Sequence, residues 1–127
     1  MDMLVKPTFI RRDERGIFVE ALNGDTWQNV SYGLMKKGAV MGNHYHKKAK
    51  VFFYIITGNV RIDTINVQTQ KTDSFVLAEN EGMIFMPYSS HAIRFTENAT
   101  FIMGKSEKYQ PDNTDTYTHV VPEVDKQ

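Results

Sequence analysis

The chain has 127 residues, 41% hydrophobic and 24% charged, the balance of one globular domain that can bury a core without metal or disulfide staples. Its 15 basic and 15 acidic residues cancel, so the basic excess of a nucleic-acid binder is missing, and the absence of cysteine removes disulfides, thiolate metal sites and a cysteine nucleophile. The longest apolar run, 51–56, is far below the ~20 residues that span a bilayer, and no signal-peptide pattern opens the chain, so a cytoplasmic protein with no membrane partner is expected.

Short apolar stretches broken by turn residues dominate the pattern. Thr8-Phe9-Ile10 leads through Asp13-Glu14-Arg15-Gly16 into Ile17-Phe18-Val19, which predicts a hairpin. Val30, Tyr32 and Leu34 alternate with Ser31 and Gly33, the period of a half-buried strand. Residues 51–56 are β-branched or aromatic and turn at Gly58-Asn59 into a strand whose Val60, Ile62 and Thr64 share a face. Further strands are predicted at 74–77, 83–86, 92–95 and 100–103. Strands at this spacing, with at most one helical turn, predict an all-β sandwich or barrel. The polar stretch from about Gln110, with Pro111 and Pro122, should wrap the surface or fray. The methionines read as barrel filling.

Chemistry concentrates in the histidines. His44 and His46 are two positions apart, which on a strand points both rings to one face. With His91 arriving from a separate turn, they could share one divalent ion such as Zn, Fe, Ni or Mn. His44 also suits the work of a base near neutral pH. Among the tyrosines, Tyr88, close to His91, is the first candidate acid.

Gly38, His44, His46 and Gly58, followed by Gly82, Pro87 and His91, resemble the two motif boxes of the cupin superfamily over roughly residues 8–110. The first-box glutamate is replaced by Val51 or Lys50, and Ser89 or Ser90 stands at the turn glycine of a compressed second box. The resemblance implies a single-domain jelly-roll barrel (double-stranded β-helix) spanning 1–127, with the barrel at about 8–110 and a tail at 111–127. Asp13-Glu14-Arg15-Gly16-Ile17-Phe18-Val19-Glu20 is similar to the "DxRGxFxE" stretch of dTDP-dehydrorhamnose 3,5-epimerases, and Gln28-Asn29-Val30-Ser31 to their "QxNxS" segment. Gly42-Asn43-His44-Tyr45-His46-Lys47-Lys48 resembles the "HAHK" motif of keto-sugar 3,4-ketoisomerases and the "GNHYH" of the cupin domain in capsular-polysaccharide nucleotide-sugar reductases.

These families rearrange or epimerise a 4-keto hexose carried on a nucleotide diphosphate. The resemblance therefore implies a nucleotide-sugar substrate, His44 as the proton-abstracting base, and Arg15 and Glu20 on the nucleotide. Asn29 and Arg61 join them as candidate substrate-binding residues. Lys50 lies one place from the epimerase lysine that supports the oxyanion. Met103 stands where the epimerases have a catalytic tyrosine, so a single proton shift, as in a ketoisomerase or 3-epimerase, fits better than full 3,5-epimerisation. The alternatives are a three-histidine metal enzyme such as a dioxygenase, and a non-catalytic small-molecule-binding cupin. Exposed sheet edges of apolar strands predict a homodimer, with residues 4–10 along a partner sheet.

Overall fold

The computed structural model describes residues 1–123. Its ordered elements are all strands, and they form two five-stranded antiparallel sheets and a separate hairpin. One sheet contains, in spatial order, β1 (Met3–Val5), β9 (Glu81–Phe85), β6 (Val51–Thr57), β11 (Ala99–Lys105) and β4 (Asn29–Met35). The other contains β12 (Tyr117–Thr118), β5 (Val40–Tyr45), β10 (Ser89–Phe95), β7 (Val60–Asn66) and β8 (Thr72–Leu77). The hairpin pairs β2 (Phe9–Asp13) with β3 (Gly16–Glu20). Two packed sheets of this kind make the expected jelly roll.

The core follows from alternation along the strands. Val51, Phe53 and Ile55 of β6, Val60 and Ile62 of β7, Met83 and Phe85 of β9, Ile93 and Phe95 of β10 and Phe101 of β11 fill the space between the sheets. The alternate β6 residues Phe52 and Tyr54 lie under a second layer formed by Val19, Ala21, Leu22 and Trp27. Cover on both faces explains why residues 51–55 read as a continuous apolar run rather than an alternating one. Met35, Met41, Met83 and Met103 are in the inner cluster or packed against it, as barrel filling requires, whereas Met86 packs in the second layer and Met1 and Met3 are exposed.

β5 carries the local feature that matters most for the site. Met41 packs against the inner core, so strict alternation would turn His44 outward. Gly42 (φ 99°) and Asn43 (φ 60°) both take the left-handed conformation, and the pairing of β5 with β10 shifts register between His91 and Ala92. The resulting bulge adds one residue and returns His44 to the inner side. A side chain at position 42 would strike the His91 carbonyl oxygen, so glycine is required there.

One expectation changes, and one left open between two outcomes is settled. Met3–Val5 pairs with β9 of the same chain, so this part of the 4–10 segment is already used within the monomer. The tail does not fray over its described part. β12 pairs with Tyr45 and His44 of β5, and Asn43 accepts from the N–H groups of His119 and Val121. Residues 124–127 of the predicted tail lie outside the described residues.

Candidate functional site

One end of the barrel gathers the C-terminal ends of β5, β9 and β11 and the N-terminal ends of β4, β6 and β10. His44 lies opposite His91 in the β5–β10 register. His46 follows the end of β5 rather than lying within it. Ring centroids are 5.0 Å apart for His44 and His91, 5.2 Å for His44 and His46, and 6.4 Å for His46 and His91. His91 is also stacked on Phe85 at 4.2 Å, which fixes its plane.

Each ring has one nitrogen committed to the backbone. The Nδ1–H of His91 donates to the Ser89 carbonyl at 3.3 Å, that of His46 donates to the Asp115 carbonyl, and His44 bonds the Gly42 backbone. Such bonds select the tautomer and leave the second nitrogen as an acceptor. For His46 that nitrogen, Nε2, is buried without a hydrogen-bond partner.

Burial disfavours the imidazolium in all three. Desolvation, the His46 charge and the Lys105 charge push His44 down to about 4. Desolvation first, then His44, pushes His91 down to about 3. His46 is also lowered by desolvation, against the opposing bond to Asp115. At pH 7 the site therefore holds three neutral imidazoles.

This donor set is chemically suited to a divalent ion, since backbone-tethered imidazoles are how metal ligands are commonly oriented. Their placement does not match: among the described residues no group of three or more His, Asp or Glu side chains is arranged to hold a metal ion.

Asn29 is the other sequence candidate at this end. Gly33 and Met35 of β4 face the core, so alternation turns Asn29 inward, opposite Lys105 in register.

The remaining candidates are elsewhere. Lys50 precedes the inward Val51 and so turns outward, where its Nζ donates to both carboxylate oxygens of Asp25 at 2.6 and 2.7 Å. Tyr88 (φ 68°) stacks at 6.1 Å on Tyr45, which alternation puts on the opposite face of β5 from His44. Arg61 lies on the outer face of β7, bonded to Asp63 and Glu123. Arg15, at the tip of the β2–β3 hairpin, pairs with Asp13 at 2.7 Å, and Glu20 accepts from the Thr8 hydroxyl. That hairpin continues into the layer over Phe52 and Tyr54, so one chain does not bring Arg15 or Glu20 to the histidines.

Two residues not singled out from sequence contribute instead. Asp115 accepts from the backbone N–H groups of Lys47, Lys48 and Ala49 at 2.8–2.9 Å, fixing the loop after His46. Lys105, at the end of β11, lines with His46 a cleft of about 220 Å³ between the barrel mouth and residues 107–117.

The model of one protein family, the polysaccharide biosynthesis C-terminal domain, matches residues 11–117. The chain belongs to this family. Comparison with curated proteins finds no significant match to this family member's sequence. Among solved structures, dTDP-4-dehydrorhamnose 3,5-epimerase from Sulfolobus tokodaii is similar at a TM-score of 0.76 and 19% identity, over 87% of this chain and 73% of that one. A variant 3,4-ketoisomerase from Thermoanaerobacterium thermosaccharolyticum, solved with TDP-4-keto-6-deoxyglucose, is similar at 0.74 and 18% identity, over 91% and 86% of the two chains. The capsular polysaccharide assembling protein CapF from Staphylococcus aureus is similar at 0.70 and 24% identity; the match covers 89% of this chain but only 32% of CapF. These likenesses establish the shared cupin fold. Among the described residues no helix is long and apolar enough to cross a membrane.

Proposed function

We propose that this domain acts in polysaccharide biosynthesis as an isomerase or epimerase of a nucleotide-linked 4-keto-6-deoxy sugar. The observation that carries the reading is the group of neutral, backbone-tethered imidazoles at one end of the barrel. It is supported by the family's role and by the substrate named for a similar ketoisomerase.

His44 is the base. Its unprotonated nitrogen takes the hydrogen from the carbon beside the ketone, and the C–H electron pair becomes a carbon–carbon double bond. The carbonyl π pair moves onto oxygen, giving an enolate; in the isomerisation the neighbouring C3 hydroxyl proton passes to that oxygen, the C3 oxygen re-forms a carbonyl, and the double-bond pair takes the proton from the histidinium at C4. Desolvation keeps the base form present at pH 7 but makes free His44 a weak base. The substrate's diphosphate and the growing enolate charge both raise the imidazole's proton affinity in the complex.

The test is exchange of the sugar's C3 hydrogen with deuterated solvent. His44→Ala should slow exchange by ~10²–10⁴-fold while dTDP still binds. Exchange at the wild-type rate in that variant would remove His44 from the role. Absence of exchange in the wild type, with both dTDP- and UDP-linked keto sugars, would leave a binding module.

The protein partner in this reading is a second copy of the chain. Phe9 and Phe18 of the hairpin pack edge to face, Phe18 lines one groove with Val30, and Val30, Tyr32 and Leu34 of edge strand β4 are all exposed. An apolar edge of this kind favours pairing over solvent.

A further inference from the structure

We propose that Lys105, rather than Lys50, is the cation that holds the substrate's carbonyl oxygen as it becomes an enolate. The assignment rests on the enolate reading above and names the group that reading lacks.

Alternation along β11 sets the direction of Lys105. Phe101 is in the inner core and Met103 packs against it, so Lys105 is the next inward position on the same face. It emerges one step beyond Met103, at the level of the barrel mouth. Its Cα lies opposite Val51 of β6 on one side and Asn29 of β4 on the other. Val51 is an inner-core residue at the same end of the barrel, and Lys105 shares the cleft with His46.

The Lys105 charge reaches all three imidazoles and helps hold each of them neutral. Among the described residues Lys105 forms no ion pair, so its ammonium is available to a ligand.

Lys50 differs on each point. It faces the outside of the sheet, is bonded to Asp25, and has its Nζ 6.0 Å from the Trp27 ring centre. Reaching the mouth would require breaking that pair and crossing the sheet. Met103 offers no donor. Lys105 therefore supplies the positive charge on the inward face of β11.

Enolate formation puts a full negative charge on an oxygen that was only a dipole in the ground state. A fixed cation or donor at that oxygen acts mainly on the transition state, and loss of one such group typically costs ~10²–10³-fold in kcat. The step balances without a co-reactant. His44 gains the carbon-bound proton, the oxygen gains the π pair, and Lys105 keeps its own proton throughout.

The experiment measures C3 hydrogen exchange with dTDP-4-keto-6-deoxyglucose and its UDP counterpart in wild type, Lys105→Met, Lys105→Arg and Lys50→Met. Lys105→Met should lose ~10²–10³-fold in kcat with KM and dTDP affinity little changed, because the lost contact strengthens only in the transition state. Lys105→Arg should recover much of the rate, and Lys50→Met should match wild type. If Lys105→Met does not fold, judged by circular dichroism, Lys105→Gln is read in its place.

Wild-type exchange rates in Lys105→Met overturn the assignment and leave the enolate reading standing. A loss confined to KM and dTDP affinity also overturns it, by making Lys105 a diphosphate contact. A large loss in Lys50→Met returns the role to Lys50. A wild-type protein that exchanges neither substrate removes the enolate reading and this assignment together.

Discussion

The outer faces of the two five-stranded sheets are finished in opposite ways. The sheet containing β7 and β10 carries charge on its outer face. Arg61 and Arg94 both reach the fully buried Asp63, at 3.0 and 2.6 Å, and residues 119–123 close over them. There the Val121 carbonyl accepts from Arg94, and Glu123 lies 3.3 Å from Arg61. The sheet containing β4 and β11 carries apolar side chains instead. Trp27, Leu22 and Val19 cover the part over β6, while Val30, Tyr32 and Leu34 remain 71–79% exposed. A buried charge is tolerated only when paired and hydrogen-bonded, and here Arg61 and Arg94 of the same chain supply those partners to Asp63. An apolar face has no such requirement and can be completed by any surface of matching shape.

The sharpest way to break this contrast is Asp63→Ala. Removing a buried carboxylate that serves two guanidinium groups should cost ~3–5 kcal/mol, read as a fall in the urea midpoint at unchanged slope. A loss below 1 kcal/mol (about the value of an exposed pair) would mean that solvent already screens the network.

Acid should act on the inner side of the same sheet. His44 and His91 are held near 4 and 3 when folded, against an ordinary histidine value of ~6.5 when unfolded. Below that value the unfolded chain binds more protons, so stability is full above about pH 6.5 and declines as pH falls toward the folded values. Each histidine contributes a slope of at most ~1.4 kcal/mol per pH unit in that window. Denaturation curves between pH 7 and 4 check this, and His91→Phe should flatten the slope. A stability constant across the window would contradict the desolvated site.

The smallest thermodynamic effect is expected on the apolar sheet, where Tyr32→Glu should shift monomer stability by no more than ~0.5 kcal/mol. Light scattering should nevertheless show wild-type dimers becoming monomers. A dimer that survives the substitution places the contact elsewhere, and a wild-type monomer at micromolar concentration removes it.

Most strands were legible because their alternation is driven by burial on one or both faces. Residues 30–34 and 60–64 show this directly. β12 was not, since it is two residues long and held by a sheet edge rather than by its own pattern; for β1, which overlaps the 4–10 segment, it was the partner strand that was not legible. The convergence of the histidines was expected from a simple two-residue period, yet the geometry is less direct. His44 turns inward only through the Gly42–Asn43 bulge, and His46 lies beyond the strand.

Lys50 illustrates a missed inference. Once Val51, Phe53 and Ile55 are taken as inward, position 50 must face out. The same parity on Phe101 and Met103 points to Lys105, but the strand predicted at 100–103 stopped two residues short of it. Asp115 gave no local signal at all, because its partners are 66–68 positions away.

That separation has a consequence for the order of assembly. The bond that orients the His46 ring spans 69 positions, whereas the hairpin of β2 and β3 closes across a short turn. The barrel's own β4–β11 pairs span a similar 64–76 positions, but core burial holds them, whereas Asp115 precedes the two-residue strand β12 and its contacts are secured only once β5 is in place. During refolding the hydrophobic interior should therefore become protected from solvent before the imidazole of His46 acquires its final orientation. A folding chain would pass through a stage that has its shape but lacks its finished chemistry.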